Sequence, residues 1–209
     1  MTMPDAPARP PLRFATDAER LTWRQTRHLM RSDFVRLATW YGGGSFSRRL
    51  FWFLQPNYQA LFLYRTYRYL YLKGWRGAAR LVFLWSLYWT GAEISPTTSL
   101  GPGCLITHAS GVVLFGKIGA RFTIFGQGGM GGGLGEEDIG GGPGYPVIGD
   151  DVIFGMKALA LGPIRIGDRV KVGPTALVSR SVPDDAMILA VESKLVRVRM
   201  GEAEGNARP

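Results

Sequence analysis

An apolar residue returns at every sixth position through two long stretches of this chain. The first runs Ile94, Leu100, Ile106, Val112, Ile118 and Ile124; the second runs Ile148, Phe154, Ala160, Ile166, Val172 and Val178. Both share one phase, since 148 − 94 = 54, or nine sixes. Glycine follows the marker at Gly101, Gly119, Gly149, Gly155, Gly167 and Gly173. A period of six fits neither a helix of about 3.6 residues per turn nor an alternating strand carried over such a length. It marks a parallel β-helix, in which each short strand forms one side of a coil and stacks on its neighbours. The spacing predicts about four three-sided coils, with residues 91–190 as that domain.

Between the blocks the pattern fails from Met130 to Val147, eighteen residues, the length of one coil. Eleven of the nineteen residues from Gly126 to Gly144 are glycine, with Glu136, Glu137 and Asp138 among them. So much glycine predicts an inserted, mobile loop rather than regular coil. It reads as a tolerated surface insertion or, the favoured reading, as a loop closing over a substrate. No Gly-Lys-Ser/Thr ends the run, which argues against a phosphate-cradling loop.

Upstream the pattern is helical. Residues 1–14 read as a flexible Pro-rich leader and 15–90 as a helical domain. Its helices are expected from Asp17 to Trp40, Asn57 to Leu72 and Ala78 to Trp89, with a short apolar segment at Phe51–Leu54. Gly42, Gly43 and Gly44 end the first of them. Residues 191–209 read as a frayed tail. The helices suit a cap over the open end of the coil, with an oligomer contact beside it. Their aromatic-rich, Arg-flanked faces also suit a membrane surface, and the two uses are compatible.

The 209 residues fit one domain with an appendage. Lys plus Arg exceeds Asp plus Glu by 25 − 16 = +9, which draws polyanions, lipid headgroups or phosphate-bearing cofactors without choosing among them. A single cysteine, Cys104, excludes an internal disulfide and reads as a small buried thiol. With no secretion signal and no long apolar run, the expected location is cytoplasmic, with peripheral contact at the inner membrane as the most a membrane would claim.

The chain has two histidines. His28, among Arg24, Arg27 and Arg31, reads as solvated. His108, in Thr107-His-Ala-Ser-Gly111, sits at a coil corner, where it adds nothing to the core and suits removal of a proton from a hydroxyl. Glu93 lies fifteen residues earlier, near one lap of the coil, so it is expected at the same corner, fixing the imidazole tautomer and stabilising the imidazolium. The other reading of Glu93 is that it only ends the last helix. No serine elbow and no metal-ligand cluster is present in the sequence, which leaves direct base catalysis without a covalent enzyme intermediate.

Gly91-Ala-Glu-Ile-Ser-Pro, Leu100-Gly-Pro-Gly and Thr107-His-Ala-Ser-Gly-Val-Val resemble motifs of the hexapeptide-repeat acyltransferases, of the serine O-acetyltransferase type. Tyr58-Gln-Ala-Leu and Tyr64-Arg65 are similar to that family's helical domain. The resemblance covers about residues 25–198. It implies a mainly β fold with N-terminal α: a left-handed parallel β-helix working as a homotrimer, or a dimer of trimers, with acetyl-CoA as co-substrate between subunits and no metal. It places Glu93 and His108 as the catalytic pair. Gly126, Gly128, Met156 and Pro174 fall along the acetyl-CoA groove, and Lys171 and Lys194 near the nucleotide phosphates.

Two departures bear on the acceptor. Thr107 stands where the serine enzymes have an Asp, and Gly144-Tyr145 where they have an Arg-His pair. Each lost charged hydrogen bond costs about 1.5–3 kcal/mol, which disfavours free serine. Tyr145 offers an aromatic face and a hydroxyl. These suit a sugar, so Tyr145 and Thr107 are expected to bind a saccharide acceptor, and with its long loop and interfacial helices the chain resembles colanic-acid-type exopolysaccharide O-acetyltransferases. The expectation is therefore O-acetylation of a saccharide hydroxyl in polysaccharide biosynthesis. The alternatives are serine O-acetylation and a non-catalytic scaffold or membrane adaptor; no nucleic-acid partner is expected.

Overall fold

The computed structural model describes residues 21–43 and 45–191. Four helices come first: α1 (Trp23–Trp40), α2 (Phe46–Leu54), α3 (Pro56–Leu72) and α4 (Arg76–Thr90). Fourteen strands of two or three residues follow, from β1 (Glu93–Ile94) to β14 (Met187–Ile188). All of their pairings are parallel and form three sheets. The first sheet is β1-β4-β7-β10-β13, the second β2-β5-β8-β11, and the third β3-β6-β9-β12-β14. Up to β13 every third strand returns to the same sheet, and β14 joins the third sheet after the single bridge of Val182 to Ile166, so the chain winds as a parallel β-helix of four coils and part of a fifth.

The hexad is legible because its markers fill the bore of the coil. Ile94, Leu100, Ile106, Ile118, Ile124, Ile148, Phe154, Ala160, Ile166, Val172 and Val178 are all buried in one core cluster. The glycines after the second-sheet markers are required by close approach. A Cβ on Gly101 would stand 2.5 Å from the Gly119 carbonyl carbon, and one on Gly119 would stand 2.4 Å from the Gly149 oxygen. Beside them Asp150 Oδ1 accepts from the Ala120 amide at 2.8 Å, and Asp168 Oδ1 from the Asp150 amide at 2.8 Å. This ladder satisfies amides that the strand pairing leaves over.

Two details of the register differ from the expected even repeat. Leu100 pairs with Ile118 and Ile106 with Ile124, eighteen positions on, but Ile94 pairs with Leu114, twenty on. Val112 is buried but lies in the corner, and Leu114 takes the stacked place. The corner from Thr107 to Val112 is therefore two residues larger than a regular one. The second difference concerns the glycine run. Met130 pairs with Leu114 and Ala160 in β7 (Gly129–Gly131), so the run's first part remains coil. Ile118 pairs with Ile148, thirty on, which makes the insertion 30 − 18 = 12 residues rather than a full lap. The insertion is stitched together. Asp138 Oδ1 accepts from the Gly140 and Gly142 amides at 2.8 and 3.0 Å, Gly144 donates to the Glu137 carbonyl at 2.9 Å, and Arg165 Nη2 donates to the Ile139 carbonyl at 2.7 Å.

The helical stretches also shift. α1 carries a capping box between Thr22 and Gln25, so its described start is Trp23; Asp17–Arg20 lie outside the described residues. The short apolar segment at Phe51–Leu54 is part of a true helix, α2. α3 lies over the first coil and meets its open backbone. Tyr64 Oη donates to the Thr98 carbonyl at 2.6 Å, Tyr67 Oη to the Ile94 carbonyl, Arg68 Nη1 to the Pro96 carbonyl at 3.0 Å, and Arg65 Nη2 to the Gly101 carbonyl at 2.6 Å. Arg65 Nε also donates to Asp33 Oδ2 at 3.0 Å, both side chains being fully buried, and Asp33 Oδ1 accepts from the Cys104 amide at 2.8 Å. Burial pushes the Asp33 carboxyl up against the pull of Arg65. The same burial disfavours the charge on Arg65, but Asp33 together with Tyr64 and Cys104 outweighs it.

Candidate active site

The enlarged corner puts His108 on the surface. Ile106 before it and Val112 after it are buried, while His108 is exposed on the edge where the third sheet turns into the first. Helix ends converge above it: Tyr41 after α1, Trp52 in α2, Gln55 to Asn57 at the start of α3, and Trp89 and Thr90 at the end of α4. With Thr107, His108, Ala109 and Ser110 they line a cavity of about 470 Å³. Tyr41 stacks on Trp52, with ring centroids 4.4 Å apart and planes at 15°. No Lys, Arg, Asp or Glu lines it, and His108 is its one imidazole.

Below His108 the same edge continues coil by coil. Gly126 lies against it: φ is +121°, and a Cβ there would come within 2.8 Å of both the His108 Cβ and its carbonyl oxygen. Only glycine fits that combination of backbone and space. Lys157 donates its amide to the Gly126 carbonyl at 3.0 Å, and Thr175 donates to the Met156 carbonyl at 2.9 Å. The edge thus stacks His108, Gly126 with Gly128, Met156, and Pro174. A Cβ on Gly128 would meet the Ala158 carbonyl oxygen at 2.4 Å, so adjacent coils approach closely there. Lys171, exposed on β12 (Lys171–Val172), stands one strand before that edge. Lys194 lies outside the described residues.

Glu93 opens β1 and pairs with Val113, on the far limb of the His108 corner. Gly91 lies over Ser110, and Gly111 donates to the Gly91 carbonyl at 2.9 Å, so Glu93 and His108 flank one corner from adjacent coils. Glu93 is half-buried and is not among the residues of the helix-side cavity. Of the two residues expected to bind the acceptor, Thr107 lines the cavity and Tyr145 does not. Thr107 is buried, and its hydroxyl donates to the Phe125 carbonyl at 2.9 Å, tying the corner to the next coil. Its own carbonyl accepts from Asn57 Nδ2 at 3.4 Å. Tyr145 ends the insertion on the opposite edge of the first sheet and stacks on Phe115, centroids 5.3 Å apart. Within one protomer the structure does not bring Tyr145 to His108.

Sequence reasoning missed the cavity's upper wall. Tyr41, Trp52, Asn57 and Trp89 come from four different elements, and only tertiary packing brings them together. Among the described residues no group of three or more His, Cys, Asp or Glu is placed to hold a metal.

No protein-family model matches the chain. It is 33% identical over 146 residues to the serine acetyltransferase of Mycobacterium tuberculosis, covering 69% of this chain and 62% of that protein. It is 33% identical over 139 residues to the serine acetyltransferase of Bacillus subtilis, with 66% and 62% covered. Among solved structures, the serine acetyltransferase of Neisseria gonorrhoeae superposes with a TM-score of 0.71 at 28% identity, covering 84% of this chain and 68% of the other. These relatives are serine acetyltransferases. The shared fold is a left-handed β-helix preceded by helices. The chain spans 62% of the length of each of the two curated relatives.

The similarity overturns the saccharide expectation, and with it the closeness to colanic-acid-type enzymes and the place in polysaccharide biosynthesis. The physical reason is visible in the site. The sugar reading rested on Thr107 and Tyr145 as acceptor contacts, but the Thr107 hydroxyl is engaged inside the coil and Tyr145 stacks away from His108.

Proposed function

We propose that this protein is a serine O-acetyltransferase, moving the acetyl group of acetyl-CoA to the hydroxyl of L-serine. The observation that carries the reading is the single edge that stacks His108 over Gly126, Met156 and Pro174, in a chain similar to serine acetyltransferases. His108 takes the proton from the serine hydroxyl, whose oxygen forms a bond to the thioester carbonyl carbon. Collapse of the tetrahedral adduct breaks the carbon–sulfur bond, and the proton held by His108 passes to the departing thiolate. Glu93, on the adjacent coil, orients the imidazole and stabilises its charged form. Backbone N–H groups near Gly126 steady the oxyanion.

Acetyl-CoA lies along the edge past Gly126, Gly128, Met156 and Pro174, and Lys171 and Lys194 attract its phosphates. The working unit is a homotrimer, in which a neighbouring subunit closes the groove. Serine is held in the cavity without a charged partner, by Gln55, Asn57 and Ser110 and by the faces of Tyr41, Trp52 and Trp89, which suit an ammonium group. That lining supports a high KM for serine. The test is release of free thiol from acetyl-CoA that depends on L-serine and is lost in His108→Ala.

A further inference from the structure

The positive charge of this protein is confined to its helices. Residues 21–92 hold eleven Lys and Arg and one acid, 11 − 1 = +10, while the rest of the chain holds fourteen and fifteen, 14 − 15 = −1. The one acid, Asp33, is buried against Arg65. Arg36 donates to the Thr123 hydroxyl and Arg68 to the Pro96 carbonyl, both on the coil. Arg24, Arg27, Arg31, Arg48, Arg49, Lys73, Arg76 and Arg80 remain exposed on the helices.

The same helices expose large apolar side chains. α2 has no buried residue. Phe46, Leu50 and Leu54, at i, i+4 and i+8, form a stripe that is 83%, 51% and 59% exposed, with Arg48 and Arg49 beside it. α4 adds exposed Leu81, Trp85, Tyr88 and Trp89, flanked by Arg76 and Arg80. Trp52 of α2 and Trp89 of α4 both line the cavity over His108, so these two helices border the site. No described helix is long and apolar enough to cross a membrane.

We propose that α2 and α4 dock on an anionic lipid surface, with their exposed aromatic and leucine side chains at the headgroup boundary and Arg48, Arg49, Arg76 and Arg80 against lipid phosphates. An apolar stripe edged by Arg gains both from burial at the interface and from the negative surface potential. A second copy of this chain is the competing occupant, and charge disfavours it. Pairing two such helical faces would bring two +10 fields together with no acid on either to meet the arginines. A nucleic acid would answer the charge but leave the stripe without an apolar partner.

The test is co-sedimentation of the full chain with phosphatidylcholine vesicles, with and without phosphatidylglycerol. The proposal expects sedimentation with the anionic vesicles alone, weakening as salt is raised from about 0.1 M, where screening reaches about 10 Å. Phe46→Gln/Leu50→Gln/Leu54→Gln, which replaces only exposed side chains, should cut the bound fraction at least tenfold and leave the melting temperature unchanged. Arg48→Glu/Arg49→Glu should weaken binding without altering the fold. Absence of wild-type binding to anionic vesicles, or unchanged binding by the triple variant, would overturn the proposal. So would a fall in the assembly's solution mass in the triple variant, which would identify a second copy as the occupant.

Discussion

Gly126 sits one coil below His108 with no room for a methyl group between them: a Cβ would meet the His108 Cβ and carbonyl oxygen at 2.8 Å. His108, the base of the proposed mechanism, is thus set on a backbone that cannot move toward its neighbour, on a corner two residues larger than the regular turn.

Gly126→Ala tests that seat. The substitution adds both a clash and a side chain at φ +121°, a conformation that costs about 1–3 kcal/mol outside glycine. The expected result is a loss of at least tenfold in kcat, with a melting temperature lowered by several degrees. Unchanged turnover would show that the His108 corner tolerates displacement.

Glu93→Gln keeps the shape and removes the charge. If Glu93 stabilises the imidazolium, kcat should fall roughly 10–100-fold, within the scale of general-base effects, while KM for acetyl-CoA stays the same. Unchanged kcat would make Glu93 a helix terminator only.

The Arg65–Asp33 pair anchors α1 and α3 to the first coil. Removing one partner leaves a buried charge unpaired, so Arg65→Met or Asp33→Asn should each destabilise by about 3–5 kcal/mol. The double variant should cost less than the sum of the two. Denaturant unfolding of the three variants measures it, and additivity would mean that the pair is not coupled.

Cys104 is fully buried, and burial pushes its thiol well above the ordinary range. A thiolate is the reactive form. The folded protein should therefore leave a disulfide reagent unreacted at pH 8 and release one equivalent only on unfolding. Rapid reaction without loss of structure would contradict the packing around β3 (Leu105–Ile106).

The coil was legible because its markers stack in the bore, and a one-residue slip would turn every one of them outward. The sequence misled where local phase and structure part. Val112 keeps the six-residue phase and is buried, yet the strand pairing passes to Leu114, and the two extra residues enlarge the corner that carries His108. Met130 was hidden in the glycine run because its strand neighbours, Gly129 and Gly131, have no side chains to mark an outward face. α2 showed no core-facing stripe because it buries nothing. The edge that stacks His108, Gly126, Met156 and Pro174 could be placed from the motifs; the cavity wall of Tyr41, Trp52, Asn57 and Trp89 could not, since it exists only when four helix ends meet. Thr107 and Tyr145 were read for chemistry from their types alone, and their geometry gives them to Phe125 and Phe115.

The most direct test is thiol release from acetyl-CoA by the wild type and by His108→Ala, with and without L-serine. The account predicts serine-dependent release in the wild type, reduced by about 10²–10⁴-fold in the variant, with the fold intact by circular dichroism. Serine-independent release, or a variant as active as the wild type, would contradict it.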